Sequence, residues 1–182
     1  MGSGAVRGHR VRCEIFTYGL IALLAIALLY AALTDLKRRQ IDNTLNASIA
    51  IGAPVFWWAS GLPLSADLAW QLGVAALTFA ITAALFAMRA MGGGDVKLLT
   101  VLALWFKPEH FFYLVVIMSV LGGLLTIGFA SWHYMRRHKG RIAIPYGVAI
   151  SSAALITLTT KTLPMFLPMV APIAGPITGT AG

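Results

Sequence analysis

Apolar residues dominate six stretches of the chain, and short polar or charged segments separate these stretches. A helix of roughly 20 apolar residues is long enough to cross the hydrocarbon layer of a bilayer. Most of the stretches reach or approach that length, so the pattern predicts an all-α membrane protein with six transmembrane helices. The predicted spans are residues 14–34, 44–60, 66–88, 96–106, 110–132 and 144–163.

Two of the predicted spans depart from this simple pattern. The span 44–60 is short and contains Pro54, so we expect it to be bent or interrupted there. The span 96–106 is strongly apolar but only about eleven residues long, which is too short to cross a bilayer. It must be either a short helix shielded by its neighbours or the continuation of an irregular segment that starts upstream.

The composition agrees with a membrane protein. The chain has 182 residues, of which 59% are hydrophobic and 11% are charged, and its mean hydropathy is +0.82. Ordinary soluble domains have roughly 45–50% apolar and about 25% charged residues, so the composition excludes that class. We divide the chain into an N-terminal leader (1–13), a membrane domain (14–163) and a C-terminal tail (164–182), in which recurring prolines interrupt helical hydrogen bonding.

The distribution of basic residues predicts the topology. The 14 Lys and Arg residues outnumber the 6 Asp and Glu residues, which gives a formal net charge of +8. They form short clusters beside the apolar stretches and no stripe interleaved with aromatic residues, so they indicate contact with anionic lipid headgroups and not with nucleic acid. The loops after the first, third and fifth spans carry nine Lys and Arg residues, and the remaining segments carry five. Because basic loops stay in the cytoplasm, we expect the N-terminus outside.

Cysteine and histidine residues offer no metal site. Cys13 is the only cysteine, which excludes an internal disulfide and a two-cysteine metal site. The four histidines show no metal-ligand spacing on a common helical face. We therefore predict neither a metal nor a cofactor.

Two of the six acidic residues are predicted to meet at the cytoplasmic face. Glu14, Asp67 and Glu109 lie at outer ends of spans, where a solvated charge at a helix end explains them. Asp35 ends the first span, and Asp95 follows the glycines that precede the fourth. Two neighbouring carboxylates share a proton, so that one acts as base and the other as acid. Such a pair can activate water for peptide hydrolysis without a metal.

The glycines and the lysine around Asp95 have more than one interpretation. Gly92, Gly93 and Gly94 allow a sharp turn and the close approach of a substrate main chain to Asp95, although a flexible hinge explains them equally well. Lys97 cannot share a helix face with Asp95 and is expected to meet headgroups or a neighbouring loop. A phosphate-binding loop is disfavoured, because the last glycine is followed by Asp and not by Lys.

Two polar residues follow the first span. Asn43 is expected to be the N-cap of the second span. Asp42 lies seven residues after Asp35 and would share a face with it if the first helix continued. Asp42 is therefore a weaker candidate for the catalytic role.

Taken together, these residues resemble the type IV prepilin peptidases, in particular their short Tad or Flp-pilus form. The shared pattern is an Asp six residues before an Ile-Pro-Asn-like string, then GxGDxK, then a later Pro-Tyr-Gly, and it covers roughly residues 15–160. By this resemblance Asp35 and Asp95 are the catalytic residues. Asp42 stands where the family has proline. The residues implied to shape the loops or bind substrate are Gly92, Gly94, Lys97, Asn43, Pro145, Tyr146 and Gly147.

The resemblance implies a GxGD-type aspartic endopeptidase. Such an enzyme removes the basic leader of a prepilin or pseudopilin after a glycine, at the cytoplasmic face of the bacterial inner membrane. Longer family members carry a cytoplasmic domain with paired cysteines and also N-methylate the product. A single cysteine and a loop of about nine residues after the first span leave no room for that domain, so cleavage without methylation is expected. The implied partners are the prepilin, membrane lipids and other pilus-assembly or secretion components.

Two other classes of function stay open from the sequence alone. A small transporter could use the two carboxylates to bind a cation or relay protons, but it would need an acid deeper in a span, and none of the six has that position. An inactive scaffold for pilus assembly would keep the fold without the chemistry. Alanine at either Asp separates these classes, because only a peptidase loses leader removal while it stays folded.

Overall fold

The computed structural model describes residues 3–60, 66–135 and 146–164. Helix accounts for 91% of these residues, and none of them lies in a strand. The prediction of an all-α protein is therefore confirmed. The six α-helices of the described ranges are α1 (Ser3–Arg38), α2 (Asn43–Ala59), α3 (Ala66–Ala87), α4 (Gly93–Trp105), α5 (Pro108–Met135) and α6 (Tyr146–Thr157), and a π-helical turn, Leu158–Thr162, continues α6.

Each predicted apolar stretch corresponds to one of these helices. The short stretch at 96–106 forms a helix of 13 residues, α4, and is not an irregular segment. The helix α2 runs through Pro54, so the expected interruption there is wrong. Apart from Pro164, the Pro- and Gly-rich tail lies outside the described residues.

Three of the described helices are long and apolar enough to cross a membrane. These candidate spans are Ile15–Arg38, Leu68–Ala87 and Pro108–Phe129. The helices α2 and α4 have 17 and 13 residues, fewer than the roughly 20 that a crossing needs, and α6 has 12 before the π-helical turn that continues it. The described residues therefore contain six helices but not six transmembrane spans. Many apolar residues of α4 and α6 are buried against neighbouring helices.

The short helices lie between the long ones. The helix α4 packs mainly against α3 and α2, and α6 packs against α1 and α5. Leu98, Leu102 and Ala103 of α4 and Ile150 of α6 are fully buried. The long helices turn many large apolar side chains outward, and Phe112 is 70% exposed. A broad apolar outer surface of this kind marks contact with a membrane.

Two arginines in the left-handed conformation follow the ends of long helices. Arg39 follows α1 with a φ of 52°, and Arg89 follows α3 with a φ of 60°. This left-handed conformation commonly terminates a helix. The N–H of Arg39 donates to the carbonyl oxygen of Asp35 at 2.8 Å. After these two helix ends, the segments 39–43 and 92–95 turn back to line one cavity.

Candidate active site

A polar cavity of about 430 Å³ lies where α1 ends and where α2 and α4 begin. We call this cavity the cleft. Both aspartates singled out from the sequence line it, although 60 positions separate them along the chain. The residues that line the cleft are Asp35, Arg39, Gln40, Ile41, Asp42, Asn43, Gly92, Gly93, Gly94 and Asp95.

Asp35 is buried at the N-terminal end of α6. The residue is only 5% exposed. Its Oδ2 accepts the backbone N–H of Val148 at 3.2 Å. The backbone N–H of Gly147 also binds this carboxylate. The first N–H groups of a helix have no partner within the helix and carry a partial positive charge. Asp35 therefore caps a helix distant in sequence.

Gly147 is required by the close approach of Asp35. A Cβ atom at this position would lie 2.8 Å from both Cγ and Oδ2 of Asp35 and 2.9 Å from Cδ1 of Ile41. Two of these atoms belong to a carboxylate that is itself held by α6, so a larger residue at position 147 would displace it. The glycine of the Pro-Tyr-Gly string thus has a steric role beside Asp35.

Asp95 is the third residue of α4, and Gly92 is the N-cap of that helix. The Asp95 carboxylate turns back to accept the backbone N–H of Gly92, as the acidic residue of a capping box does. Burial raises the pKa of Asp95 to about 6; the negative charge of Asp35 adds to this shift, and the hydrogen bond from Gly92 opposes it. The electrostatic effect of Asp35 shows that the two carboxylates interact.

The three glycines before Asp95 face different neighbours. A Cβ atom at Gly92 would lie 3.0 Å from Oδ2 of Asp95, and one at Gly94 would lie 3.2 Å from Cβ and 3.3 Å from the backbone N of Ile41. A Cβ atom at Gly93 would meet only the ring of Phe86 at 3.3 Å, and that residue is 53% exposed and can move. The tight packing falls on the first and third glycine, which are the two that the GxGD pattern specifies.

Lys97 and Asn43 are joined across the cleft rim. The Nζ of Lys97 donates to Oδ1 of Asn43 at 2.7 Å, so the lysine contacts the first residue of α2 and not the headgroups or loop expected from the sequence. The expectation that Asn43 is the N-cap of α2 is wrong: Asp42 has that position. Asp42 accepts the N–H of Asn46 through its backbone oxygen at 3.2 Å, and this leaves the Asn43 amide to bind Lys97.

Asp42 and the Pro-Tyr-Gly string occupy different parts of the site. The helix α1 ends at Arg38, so Asp42 does not share a helix with Asp35, and it is exposed on the cleft wall. Pro145 lies outside the described residues. The hydroxyl of Tyr146 is 3.0 Å from that of Thr126, a hydrogen bond that ties the start of α6 to α5.

Two residues that matter for this geometry were not selected from the sequence. Ile41, 7% exposed, fills the space between Gly94 and Gly147, and Gln71 binds the far end of α4, as described below. Each carried a recognisable signal. Ile41 is an isolated apolar residue in a polar segment, and Gln71 is an amide inside an apolar stretch.

The site is built from carboxylates and backbone groups. Within the described ranges, no group of three or more His, Cys, Asp or Glu residues could hold a metal ion. The fold and the cleft together define a class: an all-helical protein with membrane-spanning helices and two interacting, buried aspartates at the N-terminal ends of two helices.

The family of the chain agrees with this class. The family model of the type IV leader peptidases matches residues 22–127, more than half of the chain. The chain belongs to the type IV leader peptidase family, which confirms the resemblance seen in the sequence. The matched range contains both aspartates of the cleft. No curated protein and no solved structure matches the chain.

Proposed function

We propose that this protein is a prepilin leader peptidase that uses Asp35 and Asp95 to cleave Flp-type prepilins after a glycine. Membership of a family of leader peptidases supports peptidase activity. The observation that carries the assignment to this pair is that both carboxylates are buried, interact electrostatically and line a single polar cleft.

In the proposed mechanism Asp35 is the base. Its carboxylate accepts the backbone N–H groups of Val148 and Gly147 at the start of α6, which fix its position at the cleft. It takes one proton from a water molecule while the water oxygen attacks the carbonyl carbon of the scissile peptide bond. The pair titrates as a unit, and one proton is shared between the two residues.

Asp95 is the acid of the pair. Because the pKa of Asp95 is raised to about 6, a larger fraction of Asp95 is protonated near neutral pH than of an ordinary carboxyl group. Asp95 donates its proton to the carbonyl oxygen as the tetrahedral intermediate forms. The intermediate then collapses: the C–N bond breaks, the proton held by Asp35 passes to the leaving amine, and the proton that Asp95 gave to the carbonyl oxygen returns to Asp95 as the C=O bond of the new carboxyl group forms. The products are the leader with a new carboxyl terminus and the mature pilin with a new amino terminus.

The substrate is bound by apolar packing and local charge. The membrane-facing helices offer apolar surface to the hydrophobic helix of a prepilin, whereas the cleft offers polar groups to the chain before it. The net charge of +8 repels a basic leader. Anionic lipids and the exposed carboxylate of Asp42 at the cleft are therefore the groups proposed to attract the leader.

The protein is proposed to be a multi-pass protein of the bacterial inner membrane. In this topology the N-terminus is outside and the cleft opens to the cytoplasm, and pilus-assembly or secretion components contact the cytoplasmic loops. Only Arg39, Gln40, Ile41 and Asp42 separate α1 from α2. This connection has no space for the cysteine-containing domain of longer family members, which supports cleavage without N-methylation.

The test is incubation of the purified, detergent-solubilised protein with Flp-type prepilins, followed by mass measurement of the products. We expect a mass loss that corresponds to cleavage after glycine, and no added methyl group when a methyl donor is present. Asp35→Asn and Asp95→Asn should each lower the rate by about 100-fold or more, the scale of lost general acid–base catalysis.

Glu109→Gln is the matched control for these two variants. It removes a carboxylate at the start of α5, with a side chain that is 74% exposed, and it should cleave at the wild-type rate. Cleavage that survives both Asp35→Asn and Asp95→Asn would exclude the aspartate mechanism. A folded wild-type protein that cleaves none of the prepilins would exclude the proposed function.

A further inference from the structure

The C-terminal end of α4 lies in the apolar interior of the protein. Trp105 is its last residue and Phe106 its C-cap, and these residues are 7% and 1% exposed. The last four carbonyl groups of an α-helix have no N–H partner within the helix, and a hydrocarbon environment offers no water to replace it. Other parts of the protein must therefore bind these carbonyl oxygens.

Gln71 of α3 supplies most of the missing hydrogen bonds. The two N–H groups of its Nε2 meet three carbonyl oxygens, those of Leu104 at 2.9 Å, Phe106 at 2.8 Å and Ala103 at 3.3 Å, so one N–H is shared between two of them. The residue is 3% exposed. The Nε1 of Trp57 in α2 donates to the same Leu104 oxygen at 2.8 Å. Side chains from both flanking helices thus bind this end of α4.

We propose that Gln71 is a positioning residue: by binding the carbonyl groups at the buried end of α4, it sets the depth at which Asp95 faces Asp35 in the cleft. This inference rests on the proposed function, because it concerns the same pair of carboxylates. Gln71 acts through α4 and is not one of the residues that line the cleft.

The helix can transmit a displacement from one end to the other. It has 13 residues, which corresponds to a rod of about 20 Å. Asp95 belongs to its first turn, so its carboxylate moves with the helix and not with a flexible loop. A shift or tilt that starts at Gln71 therefore changes the distance between the two aspartates.

The contacts at the cleft end are weaker anchors. The hydrogen bond between Lys97 and Asn43 is exposed to solvent, and Gly94 contributes only close packing against Ile41. If the Gln71 amide is lost, the buried carbonyl oxygens of Ala103 and Phe106 lose its donation, and the Leu104 oxygen keeps the donation from Trp57. The helix α4 is then expected to shift toward other donors. The apolar packing of Leu98 and Leu99 limits the size of that shift but replaces none of the lost hydrogen bonds.

Gln71→Met tests this inference, because methionine has a similar length and no hydrogen-bond donor. For a prepilin peptide we expect kcat to fall about 10- to 100-fold while KM changes less than about threefold, since a misplacement of about 1 Å costs up to roughly 100-fold in rate. Thr78→Val is the matched control. Thr78 is a buried polar residue of the same helix, but its hydroxyl donates to Val74 within α3 at 2.7 Å, so this variant should keep the wild-type kcat.

The pH profile separates a positioning role from a general loss of packing. If α4 moves, Asp95 leaves the neighbourhood of Asp35 and gains access to water, so its pKa falls toward the ordinary value. The alkaline limb of the kcat profile should then move to lower pH in Gln71→Met and stay in place in Thr78→Val.

A second readout does not depend on cleavage. Hydrogen–deuterium exchange at the amides of residues 96–100 should be faster in Gln71→Met than in the wild type or in Thr78→Val. This measurement remains decisive even if the wild type cleaves no prepilin, so failure of the inference and failure of the proposed function can be told apart.

The inference is overturned if folded Gln71→Met keeps the wild-type exchange at residues 96–100, or if its kcat falls no further than that of Thr78→Val. If Gln71→Met does not insert into the membrane, Gln71→Asn replaces it. This variant keeps the amide but withdraws it by one methylene, and the same criteria apply to it.

Discussion

The two ends of α4 are held by different kinds of contact. At the buried end, Trp105 stacks on Phe56 with ring centroids 5.0 Å apart and donates through Nε1 to the backbone oxygen of Ile49 at 2.8 Å. At the cleft end, Gly94 packs against Ile41 and an exposed lysine binds an asparagine. The buried end thus anchors the helix, and the cleft end leaves room around Asp95 for a substrate. Four substitutions test this difference.

The largest effect is expected from the buried end. Trp105→Ala should lower the free energy of unfolding by about 3–5 kcal/mol, because it removes a large buried ring and its hydrogen bond. Trp58→Ala is the matched control, since Trp58 is 76% exposed and should leave thermal unfolding in detergent nearly unchanged. Equal destabilisation by the two variants would mean that the buried end of α4 is not a special anchor.

The next effect concerns Asp95 and depends on pH. Because the pKa of Asp95 is raised from 3.8 to about 6, folding favours its protonated form, and this contribution to stability is present below about pH 4 and lost as the pH rises through 6. Asp95→Asn stays neutral, so at pH 8 it should be more stable than the wild type by up to about 3 kcal/mol. It should therefore unfold at a higher temperature at that pH.

The pH series gives this prediction its control. The difference between Asp95→Asn and the wild type should shrink as the pH is lowered from 8 toward 4, and cleavage should be lost in the variant at every pH. A difference in unfolding temperature that is the same at pH 4.5 and pH 8 would show that the carboxylate is not destabilised by its surroundings.

A smaller effect should separate two neighbouring glycines. Gly94→Ala places a methyl group against Ile41, including its backbone N, so we expect a loss of about 1–3 kcal/mol from overpacking and a marked fall in kcat. Gly93→Ala meets only an exposed phenylalanine ring and should be tolerated better in both measurements. The opposite order would contradict the steric explanation of the GxGD pattern.

The smallest effect is expected for the exposed bond at the cleft rim. Lys97→Met should change stability by no more than about 1 kcal/mol, as is usual for a single hydrogen bond, and should lower kcat/KM for a prepilin peptide a few-fold. Asn43→Ala added to Lys97→Met should cause little further loss if the two residues act as one pair. Lys37→Met, which removes another lysine near the end of α1, controls for the change in charge.

Much of this protein could be predicted from local patterns. The number and order of the helices follow from the apolar runs, since the backbone of each run must form its hydrogen bonds within a helix. Their bounds follow less closely, and α1 begins at Ser3 and not at residue 14. The aspartates stand out because only six acidic residues occur in the chain. The family resemblance depends on short motifs at Asp35 and Asp95, and the family model covers the same part of the chain.

Other properties depend on contacts between distant residues, and no local pattern contains them. The prediction of six transmembrane spans counted α4 among them, although its length had already indicated either a short helix shielded by its neighbours or an irregular segment, and only the structure decided for the helix. The amide of Asn43 could cap its own helix or bind a distant lysine, and only the packing of α2 against α4 decided between these roles. Asp42 could share a face with Asp35 only if α1 continued, and the left-handed Arg39 ends that helix first.

The sequence by itself determined that the chain is helical, apolar and a member of a leader peptidase family, because run lengths, charge clusters and motif spacing are local quantities. The tertiary structure alone decided that Asp35 caps α6, that Ile41 separates two glycines and that Gln71 binds the end of α4. Each of these contacts joins residues that are 35 or more positions apart in the chain or on different helices. These contacts depend on how the helices pack. The packing in turn depends on the shape and polarity of all the helix faces together.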